Sequence, residues 1–500
     1  MKAFLMFRDQ DFNPQQPLPT NASDLICDLE LNSVFNAMAL GDRFLFDISK
    51  EALLTSLDNI DSILYRQQVL KDCLNNASVI REIYQIPIKS KDREYRRWLG
   101  IFTNSPSGVL SGAVGLMEMF VVLLKELRKI ADDHSNEFES EGFNRFFSMI
   151  QDELDDEYFS IVEYHLKQLK FREGVLISAE LGKGNEGSKY SLRLLNPKNK
   201  NWIKEVFSKK STAYSFTISA RDEAGARALG DLKDMGLNSA ANALAQATEH
   251  IENFLNMLQN ELAFYVGCIN LKEELEKTRN PVTFPIPFAI NERRHAFEGM
   301  YDVSLALTMN KEIVGNDVDA DSKNLVIITG ANQGGKSTFL RSIGLSQLLM
   351  QAGMFVTAEE FCANICEGVF THYKRKEDAS MKSGKLDEEL NRMSAIVELI
   401  KPNSLMLFNE SFAATNEREG SEIARQITSA LIERYVKVFF VTHMYEFAHS
   451  FYEKKMDDAK FLRAERKSGG ARTYKLLEGE PLPTSYGEDL FNVVFGKLEK

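Results

Sequence analysis

Asn324-Leu325-Val326-Ile327-Ile328-Thr329-Gly330-Ala331-Asn332-Gln333-Gly334-Gly335-Lys336-Ser337-Thr338-Phe339-Leu340-Arg341-Ser342-Ile343-Gly344 is the stretch from which the 500-residue chain is read. Its first six residues form an apolar run that predicts a buried strand, and STFLRSIGLSQLLMQAG predicts the helix that follows. Between them Gly330, Ala331, Asn332, Gln333, Gly334, Gly335, Lys336, Ser337 and Thr338 satisfy the pattern GxxxxGK[ST]. Glycines let the backbone curl so that its N–H groups converge on phosphate oxygens at the positive end of a helix. Lys336 then offers a point charge to the β- and γ-phosphates, and the Ser337 hydroxyl faces Mg²⁺. The plainer alternative is a glycine-rich helix entry with a surface lysine. The strand before and the helix after favour a nucleotide site, with ATP as the ligand.

Two later strands extend the pattern. SLMLF (404–408) runs into Asn409-Glu410, where an ATPase that uses water needs one oxygen for magnesium and one carboxylate to polarise the attacking water. Glu410 fits the second role. Asn409 offers Mg²⁺ only a neutral carbonyl oxygen, a weaker ligand for a hard cation. VKVFFVT (436–442) leads to His443, whose imidazole is placed to sense a γ-phosphate, with simple packing as the alternative. Strand–turn–helix alternation with polar residues at strand ends is the layout of a ligand-binding parallel sheet.

Upstream the chain has a different character. A length of 500 residues suggests about three domains. Residues 49–169 read as mostly helical, interrupted by a loop at TNSPSGVLSGAVG (103–115), with ten acidic residues against Arg145 alone between Ala131 and Ser160. GVLISAEL and KYSLRLL predict a hairpin around GKGNEGS, with AYSFTIS (213–219) as a third strand. Helical periodicity returns at Asp222 and runs to the prolines of NPVTFPIPF. The expected division is an N-terminal segment (1–45), a helical region (46–170), a β module (171–220), a returning helix (221–280) and an α/β domain (281–500).

Composition narrows the function classes. Apolar residues make up 44%, charged residues 26%, and the formal net charge is −12, so bulk charge does not make this a nucleic-acid coat. Five sparse cysteines favour a reducing cytoplasm over a disulfide framework. Cys362 and Cys366, read as one helical turn apart, are expected in the core rather than on a metal. The most apolar run, Val114–Leu124, carries Glu118 and is too short for a membrane span, so no membrane partner is expected.

TGANQGGKSTFLRSIG, AGMFVTAEE, SLMLFNESFAATNEREGSEIA, FFVTHMYEF and TSYG, in this order, resemble the ATPase domain of MutS-type DNA mismatch-repair proteins. FLFDISKEALLTSLDNIDSILYRQQVL resembles the start of that family's helical core. AELGKGNEGSKYSLRLL and NALAQATEHIENFLNMLQNELAFYVGC resemble its clamp and its returning lever. The resemblance implies a multidomain fold: a mainly α-helical lever region with a small inserted β clamp, then an α/β P-loop ATPase domain of the ABC type. It also implies a homodimer that uses ATP and Mg²⁺ and closes on binding ATP, with Glu410 and His443 catalytic and Ser337 and Asn409 at the metal. SMKSGKLDEEL stands where a partner's signature segment belongs, which would put Ser383 or Gly384 against the other subunit's γ-phosphate, with an ordinary polar loop as the alternative. Ala331 replaces the family's usual proline, and Asn409 its usual magnesium aspartate, so slow hydrolysis is expected.

With so little chain before the helical core, no mismatch-reading or connector domain is expected, and Phe451-Tyr452-Glu453 is a coincidental match to the family's wedge. Between Lys170 and Lys210 ten Lys/Arg face four Glu, with Trp202, Phe207 and Tyr214 interleaved, a composition suited to salt-sensitive contact with double-stranded or branched DNA. A solvated basic loop is the alternative there, and KSKDREYRRW (89–98) reads as a solvated helix face. Two other functions stay open: a nucleotide-gated switch with little hydrolysis, and another ABC-type ATPase of chromosomes or DNA repair.

Overall fold

The computed structural model describes residues 1–91, 105–194, 214–375, 384–467 and 471–483, which fall into two compact units. Ser383, the TSYG sequence, the run NPKNKNWIKEVFSKK (196–210) and the part of KSKDREYRRW beyond Lys91 lie outside the described residues.

One unit comprises Met1–Ala3, Arg81–Phe138 and Asn144–Gln259. Its helix Pro106–His134 overturns the expected loop at 103–115. Ser105 caps it, accepting the Gly108 N–H at 3.2 Å, and Pro106 occupies the first helical position, where a missing N–H costs nothing. Ser-Pro therefore marks a helix start here rather than a break. Leu110, Ala113, Val114, Met117, Phe120, Val121, Leu124 and Leu127 recur at helical spacing and are buried. With the short turn after it, Pro106–Glu137 is long and apolar enough to cross a membrane by length and composition, which the run Val114–Leu124 understated. On this helix Glu118 pairs with Lys170 at 2.6 Å, and Lys125 with Glu163 at 2.6 Å.

Strands β1 (Leu176–Leu181) and β2 (Gly187–Arg193) form an antiparallel hairpin with Leu176 opposite Arg193. The hairpin packs on the helix Glu223–Glu276, whose residues up to Gln259 belong to this unit. A Cβ at Gly236 would lie 2.7 Å from Ile177 Cδ1, so a larger residue there would have to displace the Ile177 side chain. The expected third strand is absent from the described residues 214–219. Tyr214 and Phe216 are exposed there, and strand propensity forms no strand without an edge to pair with.

The other unit comprises Phe4–Ile80, Glu139–Phe143 and Asn260–Lys500. Strands β3 (Ile286–Phe288), β4 (His295–Met300), β5 (Asn316–Asp319) and β7 (Glu360–Asn364) form a sheet in the order β3-β7-β4-β5. The larger sheet contains β6 (Leu325–Gly330), β8 (Val369–Tyr373), β9 (Leu405–Asn409), β10 (Lys437–Val441), β11 (Ala459–Arg466) and β12 (Arg472–Glu478). Its order is β12-β11-β6-β10-β9-β8, parallel throughout except for β12. Every residue of β6, β8 and β10 is buried, which is why β6 and β10 read as mainly apolar runs rather than as alternation. Helix Lys336–Gln351 follows β6. Helices Lys385–Leu399, Glu417–Glu433 and Tyr445–Glu453 close a core in which Phe408 stacks on Phe440 at 4.7 Å. Phe451 is part of that core.

Cys362 lies on β7 and Cys366 in the loop after it, so they are not a helical turn apart; the Cys366 thiol contacts Gln351 Oε1 at 3.0 Å. In the same unit the N-terminal segment is held by buried polar side chains. Glu261 accepts the backbone N–H groups of Leu5 (2.7 Å) and Phe12 (3.3 Å), and the Tyr265 hydroxyl donates to the Leu5 carbonyl at 2.6 Å. Burial pushes the Glu261 carboxyl up to about 7, against the pull of those N–H donors.

Candidate nucleotide site

Strand register assembles the site. β10 lies between β6 and β9, with Val441 opposite both Ile328 and Asn409, so three strands end together at one edge of the sheet. Ligands of open parallel sheets bind at that carboxyl edge, in the crevice beyond the strand ends. From β6 the chain turns through Gly330 (φ +106), where an added Cβ would lie 2.8 Å from the Ala464 nitrogen, and through Gly335 (φ +87) into helix Lys336–Gln351. The Arg472 guanidinium donates to the Asn332 carbonyl at 3.2 Å and ties the loop to β12.

The loop borders a cavity of about 500 Å³. Asn332, Gln333, Gly334, Gly335, Lys336, Ser337 and Thr338 line one side, together with Glu410. Met300, Leu305, Met309, Ile313, Val314 and Tyr474 add apolar lining, interspersed with Asp302, Lys311, Glu312 and Asn316. A polar glycine-rich loop beside a cavity with apolar side chains in its lining suits a nucleotide.

Lys336 is 5% exposed, and its ammonium donates to the carbonyls of Gly330 and Ala331, each at 3.0 Å. Burial holds this lysine below its usual range; Glu410 pulls it back up and Arg472 pushes it down. The Ser337 hydroxyl donates to Asn409 Oδ1 at 2.9 Å. Glu410 follows with a left-handed backbone (φ 53), its N–H donating to the Val441 carbonyl at 2.9 Å and its carboxylate 4.0 Å from Lys374 Nζ. His443 is exposed just beyond β10, at the same edge, but is not in the cavity lining. Gly384 is exposed as the residue capping helix Lys385–Leu399.

Several residues beside the cavity escaped the reading of the sequence. Tyr474 lines it and also has a left-handed backbone (φ 61); Asn316 pins this strand by donating to the Tyr474 carbonyl at 3.2 Å and accepting the Leu476 N–H at 2.7 Å. His372 is fully buried behind Glu410, and burial lowers its pKa to about 4, which keeps it neutral. A histidine in the β-prone run VFTHY was a usable signal. Tyr474 left none.

Residues 326–494 match the family model described as MutS domain V, and residues 58–278 match the one described as MutS2 N-terminal domain. The chain belongs to the MutS family. Within this family the DNA mismatch repair protein MutS of Thermotoga sp. (strain RQ2) is 31% identical over 211 residues, covering 41% of this chain and 26% of that protein. MutS of Thermus aquaticus is 32% identical over 179 residues, or 36% of this chain and 22% of that protein. MutS protein homolog 4 of Mus musculus is 26% identical over 303 residues, or 56% of this chain and 30% of that protein. The match to these MutS relatives thus spans between 22% and 30% of their own length.

Proposed function

We propose that this MutS-family chain binds and slowly hydrolyses ATP, and that its nucleotide state governs a dimeric grip on DNA. The observation that carries the reading is the meeting of Lys336, Ser337, Asn409 and Glu410 at one sheet edge beside a cavity of about 500 Å³. Gly330 to Thr338 would cradle the phosphates with backbone N–H groups, Lys336 leaving its own loop carbonyls for the β- and γ-phosphates. Glu410 would orient the attacking water and take its proton, and His443 would contact the γ-phosphate from the end of β10.

The oxygens present fit a magnesium ion. Ser337 Oγ and Asn409 Oδ1 are 2.9 Å apart, close to the roughly 3.0 Å between neighbouring oxygens that each sit about 2.1 Å from one magnesium ion. Magnesium there would neutralise charge on the β- and γ-phosphate oxygens. Asn409 contributes no charge of its own, which favours slow turnover.

The remaining assignments extend the same reading. Residues 46–170 and 221–280 serve as levers, 171–220 as the clamp-like module and 281–500 as the ATPase domain, with 1–45 as a leading segment. A second subunit, the same chain or a related one, would bring Ser383 and Gly384 onto the nucleotide and complete each site. DNA contact would rest on phosphate neutralisation in the clamp region and take place in the cytoplasm. The neutral Asn409 also favours a second reading, a nucleotide-gated switch with little hydrolysis.

One set of measurements separates them: Mg-ATP affinity, steady-state turnover, and titration with duplex, mismatched, branched and single-stranded DNA at rising salt. The proposal expects slow turnover, ATP-dependent dimerisation and DNA affinity that falls steeply with salt, without preference for a single mispair. Tight ATP binding without turnover would establish the switch, and salt-independent DNA binding would remove the phosphate-contact reading.

A further inference from the structure

β8 runs beside β9 with His372 opposite Phe408 and Tyr373 opposite Asn409, so His372 sits one residue back from the edge of the site. Its imidazole meets four groups, one of them the tilted ring of Phe408 with centroids 5.9 Å apart. Nε2 lies 2.9 Å from the carbonyl oxygen of Glu389, on the helix Lys385–Leu399. Nδ1 lies 2.8 Å from the hydroxyl of Ser411, which also reaches the His372 carbonyl at 2.5 Å. The ring lies nearly parallel to Phe412, with centroids 5.1 Å apart and planes 20° apart.

A backbone carbonyl only accepts, so Nε2 carries the proton; the single Ser411 hydroxyl proton, which the His372 carbonyl takes at 2.5 Å, is shared with Nδ1 as the second acceptor of a bifurcated bond. The histidine therefore grips the two residues after Glu410, one by a hydrogen bond and the other by stacking. These residues need a grip. Glu410 (φ 53) and Phe412 (φ 63) both hold left-handed backbones, which side-chain-bearing residues keep only where the surroundings over-determine them. Ser411 between them is fully buried, so its hydroxyl must find partners within the protein, and His372 supplies both of them.

We propose that His372 is a positioning residue: anchored on the Glu389 carbonyl, it holds Ser411 and Phe412 so that the left-handed Glu410 keeps its carboxylate at the nucleotide cavity. This rests on the reading of Glu410 as the hydrolytic carboxylate. His372 itself touches neither nucleotide nor water.

Two substitutions separate its two nitrogens. His372→Asn places an amide oxygen near the Nδ1 position and keeps the side-chain acceptor for Ser411, whereas His372→Gln places an amide N–H near the Nε2 position, keeps the Glu389 bond and leaves Ser411 only the backbone carbonyl of residue 372. Turnover per bound nucleotide, KM for ATP and melting temperature are measured for wild type, both His372 variants and Ser411→Ala. Small misplacement of a catalytic group costs rate rather than affinity, so His372→Gln and Ser411→Ala lose kcat on the order of tenfold or more with KM nearly unchanged. His372→Asn recovers most of that loss. Equal loss in both His372 variants, a KM change that matches the kcat change, or full kcat in Ser411→Ala overturns the proposal while wild type still turns over. A wild type without turnover overturns the hydrolytic reading and this proposal together.

Discussion

The Ser337 hydroxyl donates to Asn409 Oδ1 at 2.9 Å across 72 residues of sequence. Ser337 stands in the first turn of the helix after β6, and Asn409 ends β9, with β10 between the two strands. An aspartate at 409 would accept the same bond and add the anionic oxygen that Mg²⁺ prefers. Asn409→Asp is expected to raise steady-state turnover on the order of tenfold, a barrier change of about 1.4 kcal/mol. Lower turnover in this variant would show that the asparagine belongs to a differently tuned site.

Lys336 spends its ammonium on two carbonyls of its own loop, so its loss leaves acceptors and not a buried charge. Lys336→Ala should retain the wild-type circular dichroism spectrum and lose Mg-ATP affinity by about a hundredfold or more, as expected for a charge-assisted phosphate contact. Unchanged affinity, read by calorimetry, would remove the nucleotide site itself.

Glu410 is the carboxylate at the cavity edge beside the loop. Glu410→Gln keeps the side-chain shape, removes the base and is expected to cut turnover by roughly 10²- to 10⁴-fold. ATP affinity and the ATP-dependent dimer should survive, as a sizing run in ATP would show. Wild-type turnover in Glu410→Gln would move the catalytic carboxylate elsewhere.

Glu261 offers a test away from the site. Its folded pKa, about 7, lies above the ordinary glutamate value of 4.5, so between those pH values the folded state holds a proton that the unfolded state has released. Stability from this group is therefore complete below about 4.5 and is lost as pH rises through about 7. Buried His372 and His295, whose pKa values burial lowers, act in the opposite sense below their ordinary range. The effect is therefore read as a difference between wild type and Glu261→Gln. Melting temperatures across pH 4.5 to 8 should shift steadily in favour of the variant by the equivalent of about 3 kcal/mol, one pKa unit being about 1.4 kcal/mol. A constant difference across that range would refute the assignment.

The strand, turn and helix around the Gly330–Thr338 loop were legible because local chemistry dictates them: glycines with positive φ, a lysine opening a helix and a strand buried on both faces leave few other conformations for residues 325–351. The long helix was equally plain, since its periodicity persists from Glu223 to Glu276. Ser105-Pro106 misled, because a helix-starting pair and a turn look alike until the residues after it are seen to pack. Residues 214–219 misled for a non-local reason. Their β propensity was real, but a strand exists only with a paired edge, and sequence carries no record of edges.

By itself the sequence determined these elements and the residue types at their ends: the glycine-rich loop after β6, the Asn409-Glu410 pair after β9 and the histidine after β10. Tertiary structure alone decided that these ends share one edge, because strand order in a sheet is set by long-range packing and not by neighbours in the chain. It also decided what stands behind them. His372 lies 39 residues before Ser411, and only the pairing of β8 with β9 brings the imidazole to the hydroxyl that holds the Glu410 turn in place.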